Sequence, residues 1–180
     1  MAGEQQVLDI LPQARVIRTA WLFSPCGRNF VRTMLHLALR QPVLRIVNDQ
    51  RGCPTSALQL ARFLPALTAP SLPGIYHLAG SPAVSWFEFA EEIFAVRWHV
   101  AGRLRVYLEL SPLHQLRLLK QRRGRPVAYC CSERSRAALC AQLPAEDAAS
   151  LTLDWRLSLP EVVRTMLRSD PELQAVCASS

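Results

Sequence analysis

Strand-like and helix-like patterns alternate along residues 14–96, and this alternation limits the chain to few architectures. β-Branched and aromatic residues indicate strands over 14–23, 43–48 and 74–80. Apolar residues at helical spacing indicate helices over 3–10, 29–40, 55–68, 85–96, 157–168 and 170–178. Three helix starts carry a capping signal: Thr55, the Ser85–Glu88 capping box, and Asp170 followed by Pro171. The order predicts an α/β fold with largely parallel strands, and we expect the first strand to lack neighbours so early in the chain.

Composition excludes several classes of protein. With 180 residues, 50% of them hydrophobic and 19% charged, the chain is long and apolar enough for one globular domain. No apolar run reaches the roughly 20 residues that span a bilayer. The first ten residues do not resemble a signal peptide. We therefore expect a cytoplasmic protein with no membrane partner.

The six cysteines form no C-x-x-C pair and have no histidine at zinc-finger spacing. In a cytoplasmic chain this pattern predicts free, mostly buried thiols and no metal site. The four histidines are scattered along the sequence, and His77, inside a predicted strand, is expected to be structural.

Positive charge is concentrated in residues 97–136, which hold ten basic and two acidic residues within a total net charge of +7. No aromatic residue is interleaved between 108 and 128, so this stretch is interpreted first as a solvated, mobile loop. Pyrophosphate contact by Arg125 and RNA binding are the alternatives, but we do not expect a nucleic-acid partner.

Polar and aromatic residues follow the first two predicted strands. Thr19 and Trp21 close the first strand, and Asp49, Gln50 and then Thr55 follow the second. Ligands bind at the carboxyl ends of strands in open α/β sheets, where a tryptophan offers a flat apolar face and one N–H donor. The alternatives are a core tryptophan and an ordinary strand–helix turn.

Two absences bear on cofactor chemistry. The seven glycines are too widely spaced for a Gly-rich phosphate loop. The single lysine, Lys120, has Leu116 four positions before it, so the 180 residues contain no Tyr-x-x-x-Lys pair.

Together, several segments resemble the carboxyl-terminal half of the dTDP-4-dehydrorhamnose reductases, which are extended short-chain dehydrogenases/reductases with an RmlD-like substrate-binding region. The resembling segments, in order, are RTAWLFSPCGRNFVRTML, VNDQRGCPT, GIYHLAG, SWFEFAEEIF, GRPVAY and a late DW. Even AGEQ at 2–5 resembles the segment after the family's catalytic Tyr-x-x-x-Lys helix. The match is dense over residues 2–95 and resumes patchily over 125–168.

This resemblance implies a Rossmann-type α/β fold of which the chain forms the substrate-binding part, with few strands and several helices. It also implies NADPH or NADH as cofactor on an amino-terminal half, where a tyrosine donates a proton as hydride reaches the C4 keto carbon of the sugar. In the family's Arg-Thr-Ser-Trp motif the tryptophan contacts the deoxysugar, and this role falls on Trp21, although Ala20 replaces the serine.

The remaining candidate contacts follow from the same resemblance. Predicted to shape the dTDP-sugar pocket with Trp21 are Thr19, Asn29, Asp49, Gln50 and Thr55, with Arg125 on the pyrophosphate. No residue of the chain is predicted to be catalytic, to bind the cofactor or to bind a metal. We expect the catalytic tyrosine and lysine in a segment before residue 1.

We therefore predict one substrate-binding region over 1–180, with 97–124 as a basic, divergent insert or loop. The predicted partners are a dTDP-sugar and either a separate amino-terminal half or a second copy of the chain. The isolated chain should be inactive in reduction. The alternative hypothesis is a non-catalytic binding or regulatory module on the same scaffold.

Overall fold

The computed structural model describes residues 2–65, 73–101, 106–110, 133–142, 145, 148 and 152–177. Its helices are α1 (Ala2–Ile10), α2 (Phe30–Arg40), α3 (Ala57–Arg62), α4 (Trp86–Ala101), α5 (Glu133–Cys140), α6 (Trp155–Ser169) and α7 (Pro171–Cys177). Its strands are β1 (Arg15–Arg18), β2 (Leu22–Phe23), β3 (Val43–Ile46), β4 (Arg51–Gly52), β5 (Thr55–Ser56), β6 (Gly74–His77), β7 (Val84–Ser85) and β8 (Tyr107–Leu110).

The strands pair two by two, and most pairs are parallel. β1 lies parallel to β6, with Arg15 opposite Gly74, and β3 lies parallel to β8, with Val43 opposite Tyr107. The short β2 and β5 are also parallel, whereas β4 and β7 are antiparallel. The predicted α/β class with largely parallel strands is confirmed.

The predicted strand over 14–23 is wrong as one element. The chain leaves β1 after Arg18 and enters β2 at Leu22, because Trp21 adopts a positive φ of 45° that no strand accommodates. β1 therefore pairs with β6 while β2 pairs with β5. The polar and aromatic residues between them lie at a break in the chain's path.

The helix predicted from Thr55 begins later than expected. Thr55 lies in β5 opposite Leu22, and the N-cap is Ser56, whose hydroxyl accepts a hydrogen bond from the Gln59 amide at 3.5 Å. Both residue types cap helices well, but the Thr55 hydroxyl is bonded to the Cys53 carbonyl and the Gly80 amide, which leaves the cap to Ser56. The helix α3 ends at Arg62.

Other helix boundaries agree with the sequence signals. At α4 the Ser85 amide donates to Glu88 Oε2 at 2.7 Å and the Glu88 amide donates to Ser85 Oγ at 3.0 Å, which confirms the capping box. Asp170 caps α7, because its Oδ1 accepts from the Glu172 amide at 3.2 Å.

The basic stretch contains regular structure where the structure describes it. α4 continues to Ala101, and β8 pairs with β3 along its whole length. Most of the remaining stretch, including Arg125, lies outside the described residues. The division of the chain into one region with an insert over 97–124 stays a prediction.

One large core fills the space between α2, α4, α6 and the strands β2 and β3. Its fully buried aromatic members are Phe23, Phe89 and Trp155, and the Trp155 ring N–H donates to the Pro82 carbonyl at 2.9 Å. A smaller cluster joins β6 to α3 and α5; its buried residues are Phe63, Tyr76, Leu78, Leu139 and Leu153. The first core includes the residues that support the candidate site.

None of the helices in the described ranges combines the length and apolar character needed to cross a membrane. Three cysteines in those ranges are free thiols, and they differ in exposure: Cys53 is buried, Cys140 is half-buried and Cys26 is exposed. The expectation of mostly buried thiols is therefore wrong for Cys26, which lies in the loop before α2.

Candidate functional site

Trp21 occupies the break between β1 and β2 and is half-buried. Its φ of 45° lies in the left-handed region, which costs an L-residue about 1–2 kcal/mol. Its carbonyl accepts a hydrogen bond from the Thr55 amide at 3.1 Å, which continues the pairing of β2 with β5. A bulky residue in this conformation indicates that surrounding contacts, rather than local preference, fix its place.

Trp86, the first residue of α4, stacks on Trp21. The ring centroids lie 3.5 Å apart and the ring planes differ by 10°. Behind this pair, Phe30 of α2 packs at an angle of 45° to Trp86, with centroids 4.5 Å apart. One face of the Trp21 indole is thus covered by Trp86, and the pair is continuous with the aromatic core.

Trp86 was missed as a site residue by sequence reasoning. A signal was present, because the capping box fixes the start of α4 and helical spacing then places Trp86 on the same face as the buried Phe89 and Ile93. That pattern predicts a buried aromatic residue, but it cannot tell that the residue meets Trp21.

Gly52 allows the backbone of β4 to approach the Trp21 ring closely. A Cβ atom built at Gly52 would lie 2.2 Å from Cε2 and 2.4 Å from Cζ2 of Trp21. No real side chain tolerates such distances, so the position requires glycine as long as the indole stays in place.

Gln50 completes a group of neighbouring residues with Trp21, Trp86 and Gly52. Its Oε1 accepts a hydrogen bond from the Trp86 ring N–H at 3.2 Å, and its backbone carbonyl accepts from the Trp86 amide at 3.3 Å. Its NH₂ group is a donor that Gln50 can offer to a ligand. Thr19 directly follows β1 and Asp49 lies in the connection between β3 and β4, and both are exposed.

Asn29 stabilises the loop that follows β2. Its Oδ1 accepts from the Arg32 amide at 3.2 Å as N-cap of α2, and its Nδ2 donates to the Ser24 carbonyl at 2.9 Å. Both ends of the side-chain amide are therefore used in shaping the loop. The structure places Asn29 as a support of the loop beside the Trp21–Trp86 pair.

Thr55 is fully buried below the group. Its hydroxyl donates to the Cys53 carbonyl at 3.1 Å and accepts from the Gly80 amide at 2.9 Å, which connects β5 to the segment after β6. The structure thus brings Trp21, Gln50 and Thr55 together through Gly52 and Trp86. Arg125 lies outside the described residues.

Charge near the group comes from an ion pair on its α4 side. Arg51 Nη1 lies 3.1 Å from Glu88 Oε1, and the Arg51 Nη2 donates to the Ala83 carbonyl at 3.2 Å. The backbone N–H of Ser85 and then the Arg51 guanidinium hold the pKa of Glu88 below its ordinary value. Beyond this pair opens a groove of about 460 Å³, lined also by Glu91, Glu92 and Arg156.

The glycine spacing in the described residues differs from that of a Gly-rich loop that holds a dinucleotide pyrophosphate. No described loop between a strand and its following helix contains more than one glycine. Two of these glycines allow close packing: Gly52 against Trp21, and Gly80 against the Pro54 carbonyl, where a Cβ would lie 1.7 Å from the oxygen. The group as described offers an aromatic surface and hydrogen-bond donors, which suit recognition of a ligand.

Comparison with known proteins gives a consistent picture. The family model described as RmlD substrate binding domain matches residues 1–128. A dTDP-4-dehydrorhamnose reductase of Sinorhizobium fredii is 39% identical over 110 residues, which cover 57% of this chain and 37% of that protein. The matched region thus spans little more than a third of the length of this relative.

Solved structures show the same similarity over more of the chain. A dTDP-4-dehydrorhamnose reductase from Clostridium acetobutylicum superposes with a TM-score of 0.70 at 29% identity, covering 89% of this chain and 51% of that one. A Bacillus anthracis reductase of the same name, solved in complex with NADP, has a TM-score of 0.67 at 24% identity, covering 94% and 52% respectively. Each structure is about twice as long as the part that this chain matches.

Proposed function

The chain belongs to the family of the RmlD substrate binding domain, and on that premise we propose that it forms the nucleotide-sugar pocket of a dTDP-4-dehydrorhamnose reductase. The whole enzyme reduces dTDP-4-dehydro-6-deoxy-L-mannose to dTDP-L-rhamnose. This chain supplies recognition of the dTDP-sugar.

The observation that carries the proposal is the joined group of Trp21, Trp86 and Gln50. Two candidate contacts from separate motifs, Trp21 after β1 and Gln50 after β3, are linked through one tryptophan. A half-buried indole beside an amide donor is the combination that binds sugars, because apolar ring faces stack and hydroxyl groups accept hydrogen bonds.

Within this proposal the candidate residues take different roles. The proposed ligand contacts are Trp21, Gln50, Asp49 and Thr19, since each is exposed or half-buried in the connections that follow β1 and β3. Asn29 and Thr55 shape the pocket from behind, because their polar groups bond to the protein. Arg125 is proposed as the pyrophosphate contact, by family resemblance.

We propose that the residues and the cofactor that carry out the reduction belong to a part of the enzyme other than these 180 residues. Relatives of this chain are oxidoreductases, and one neighbour is solved with NADP. The 180 residues contain neither a Gly-rich loop nor a Tyr-x-x-x-Lys pair. We therefore propose that NADPH or NADH binds a separate amino-terminal half, and that the 180-residue chain alone does not turn over substrate.

Helix α1 is the proposed contact with that half or with a second copy of the chain. None of its residues is buried, and its apolar side chains Val7 and Ile10 are 48% and 80% exposed, next to Leu11 at 49%. Glu4 anchors the helix to β1 through a two-pronged ion pair with Arg18. Apolar residues grouped in this way favour a protein contact over solvent.

The test is ligand-dependent stabilisation of the 180-residue chain by dTDP-L-rhamnose, with UDP-glucose as the matched control. A ligand that binds only the folded state at a hundred times its Kd adds about 2.7 kcal/mol, so the unfolding temperature should rise with dTDP-L-rhamnose and less with UDP-glucose. No rise with either sugar nucleotide, together with a stoichiometric protein partner in a pull-down, would favour the non-catalytic module instead.

A further inference from the structure

Trp21 holds a backbone conformation that its own residue type disfavours. With φ at 45°, the indole is directed by its neighbours rather than by the strand pattern around it. Among its neighbours is Trp86, whose ring is nearly parallel to the Trp21 ring at a centroid distance of 3.5 Å. The position of the Trp21 ring therefore depends on the position of the Trp86 ring.

Trp86 is itself fixed from three sides. Its backbone stands at the first turn of α4, which the capping box holds in place. Its ring N–H donates to Gln50 Oε1 at 3.2 Å. Phe30 of α2 packs against the ring with centroids 4.5 Å apart. A tryptophan anchored by both a hydrogen bond and packing gives its stacking partner one defined orientation.

We infer that Trp86 is a positioning residue for sugar recognition, which acts by holding the Trp21 indole and the Gln50 amide in the orientation that the ligand meets. This inference rests on the proposed function, because it concerns the same dTDP-sugar pocket. Since Trp21 is the expected sugar contact, loss of Trp86 weakens binding of the sugar part of the ligand more than binding of the dTDP part.

The experiment compares Trp86→Leu and Trp86→Phe with Trp98→Phe in the 180-residue chain. Trp98 lies on the same helix but is 48% exposed and outside the group, so it is the matched control. Calorimetry gives the affinity for dTDP-L-rhamnose and for dTDP alone. Circular dichroism reports the exciton couplet of the two stacked indoles.

The expected result is a loss of affinity for dTDP-L-rhamnose of about five- to tenfold in Trp86→Leu. Affinity for dTDP should change little, and Trp86→Phe should recover part of the loss because a ring still stacks on Trp21. The couplet should disappear in both Trp86 variants and persist in Trp98→Phe.

Several outcomes would overturn the inference. Equal losses for dTDP-L-rhamnose and dTDP would indicate that Trp86 only stabilises the fold, and unchanged affinity in both Trp86 variants would remove its role. A wild-type couplet that Trp86→Phe leaves intact would contradict the stacked arrangement itself. If the wild-type chain shows the couplet but binds neither dTDP-L-rhamnose nor dTDP, the proposed function is wrong, while the stacking of the two indoles is still supported.

Discussion

At the scale of single residues, the candidate site depends on a few close contacts, and each of them restricts which side chain its position can accept. One face of the Trp21 ring stacks on Trp86, and Cε2 and Cζ2 of the same ring lie close to the backbone of Gly52, so tertiary contacts support its left-handed conformation. Below it, Thr55 satisfies buried polar groups of two separate segments. Each contact gives a substitution whose effect can be measured.

Replacing Gly52 with alanine should destabilise the chain by about 1–3 kcal/mol, because the new Cβ would overlap the Trp21 ring and force it to move. Thermal or denaturant unfolding measures the loss. The matched control is Gly3→Ala, where nothing lies within 4 Å of the added Cβ and where alanine favours the exposed helix α1. Equal stability of Gly52→Ala and wild type would show that the indole does not rest there.

Replacing Thr55 with valine should cost about 1–3 kcal/mol, because the shape is kept while the Gly80 amide and the Cys53 carbonyl each lose a buried partner. The same change at Thr165, which is exposed on α6, serves as control in chemical denaturation. A Thr55→Val chain as stable as its control would contradict a stabilising role for these two hydrogen bonds.

The sequence predicts some of these residues and not the contacts between them. Trp21 and Gln50 stand at strand ends, where period-two patterning stops, so both could be identified as candidates. The left-handed turn at Trp21 could not, because no local residue signals a positive φ for a tryptophan. The stack with Trp86 joins residues 65 positions apart and depends on tertiary packing.

At the scale of elements, α2 is held against the corner between α6 and α7 by a charged network. His36 Nε2 lies 2.8 Å from Asp170 Oδ2, and its Nδ1 lies 2.9 Å from Glu172 Oε2. Arg32 also pairs with Asp170, and Arg40 pairs with Glu172 at 2.9 Å. The network fixes the helix that begins beside the candidate site.

Asp170 makes this junction dependent on pH. Burial raises the pKa of its carboxyl, but the hydrogen bond from His36 and the charges of His36 and Arg32 outweigh burial, so the net shift is downward. A lowered pKa in the folded state stabilises the fold above the ordinary aspartate pKa of about 3.9. That contribution disappears as the pH falls through the folded-state pKa.

Asp170→Asn should therefore lower the unfolding temperature at pH 7, and its difference from wild type should shrink as the pH falls below about 4. Calorimetric melts over this pH range measure the difference. The control is Asp9→Asn, an exposed carboxylate on α1 that pairs with Gln5 of the same helix. A difference that stays constant down to the acid limit would contradict a role for the Asp170 charge.

Element types were largely predictable, whereas the ends of the first strand and of α3 were not. Helical spacing identified α2, α4 and α6, since each buries one face, and the Asp170–Pro171 signal identified α7. The strand over 14–23 failed because its alternation continues through a turn that tertiary contacts impose. β8 escaped prediction because its residues sit in an arginine-rich stretch, although it completes a parallel pair with β3.

At the scale of the whole molecule, the fold class and family followed from motif order. Alternating elements predicted parallel strands, and motifs in sequence order indicated the reductase family that the family model matches over 1–128. The two-stranded pairing of the described strands and the exposure of α1 could not be predicted from the sequence pattern alone. Both depend on which elements pack against each other in the folded chain.

The most direct test of the central claim is calorimetric titration of the 180-residue chain with dTDP-L-rhamnose, in wild type and in Trp21→Ala. We expect measurable wild-type binding and a loss of roughly 1–3 kcal/mol in the variant, the scale of one aromatic contact. Trp98→Ala, which removes an exposed tryptophan of α4, should bind as wild type does. Binding of equal strength in wild type and Trp21→Ala would contradict the assignment of this pocket.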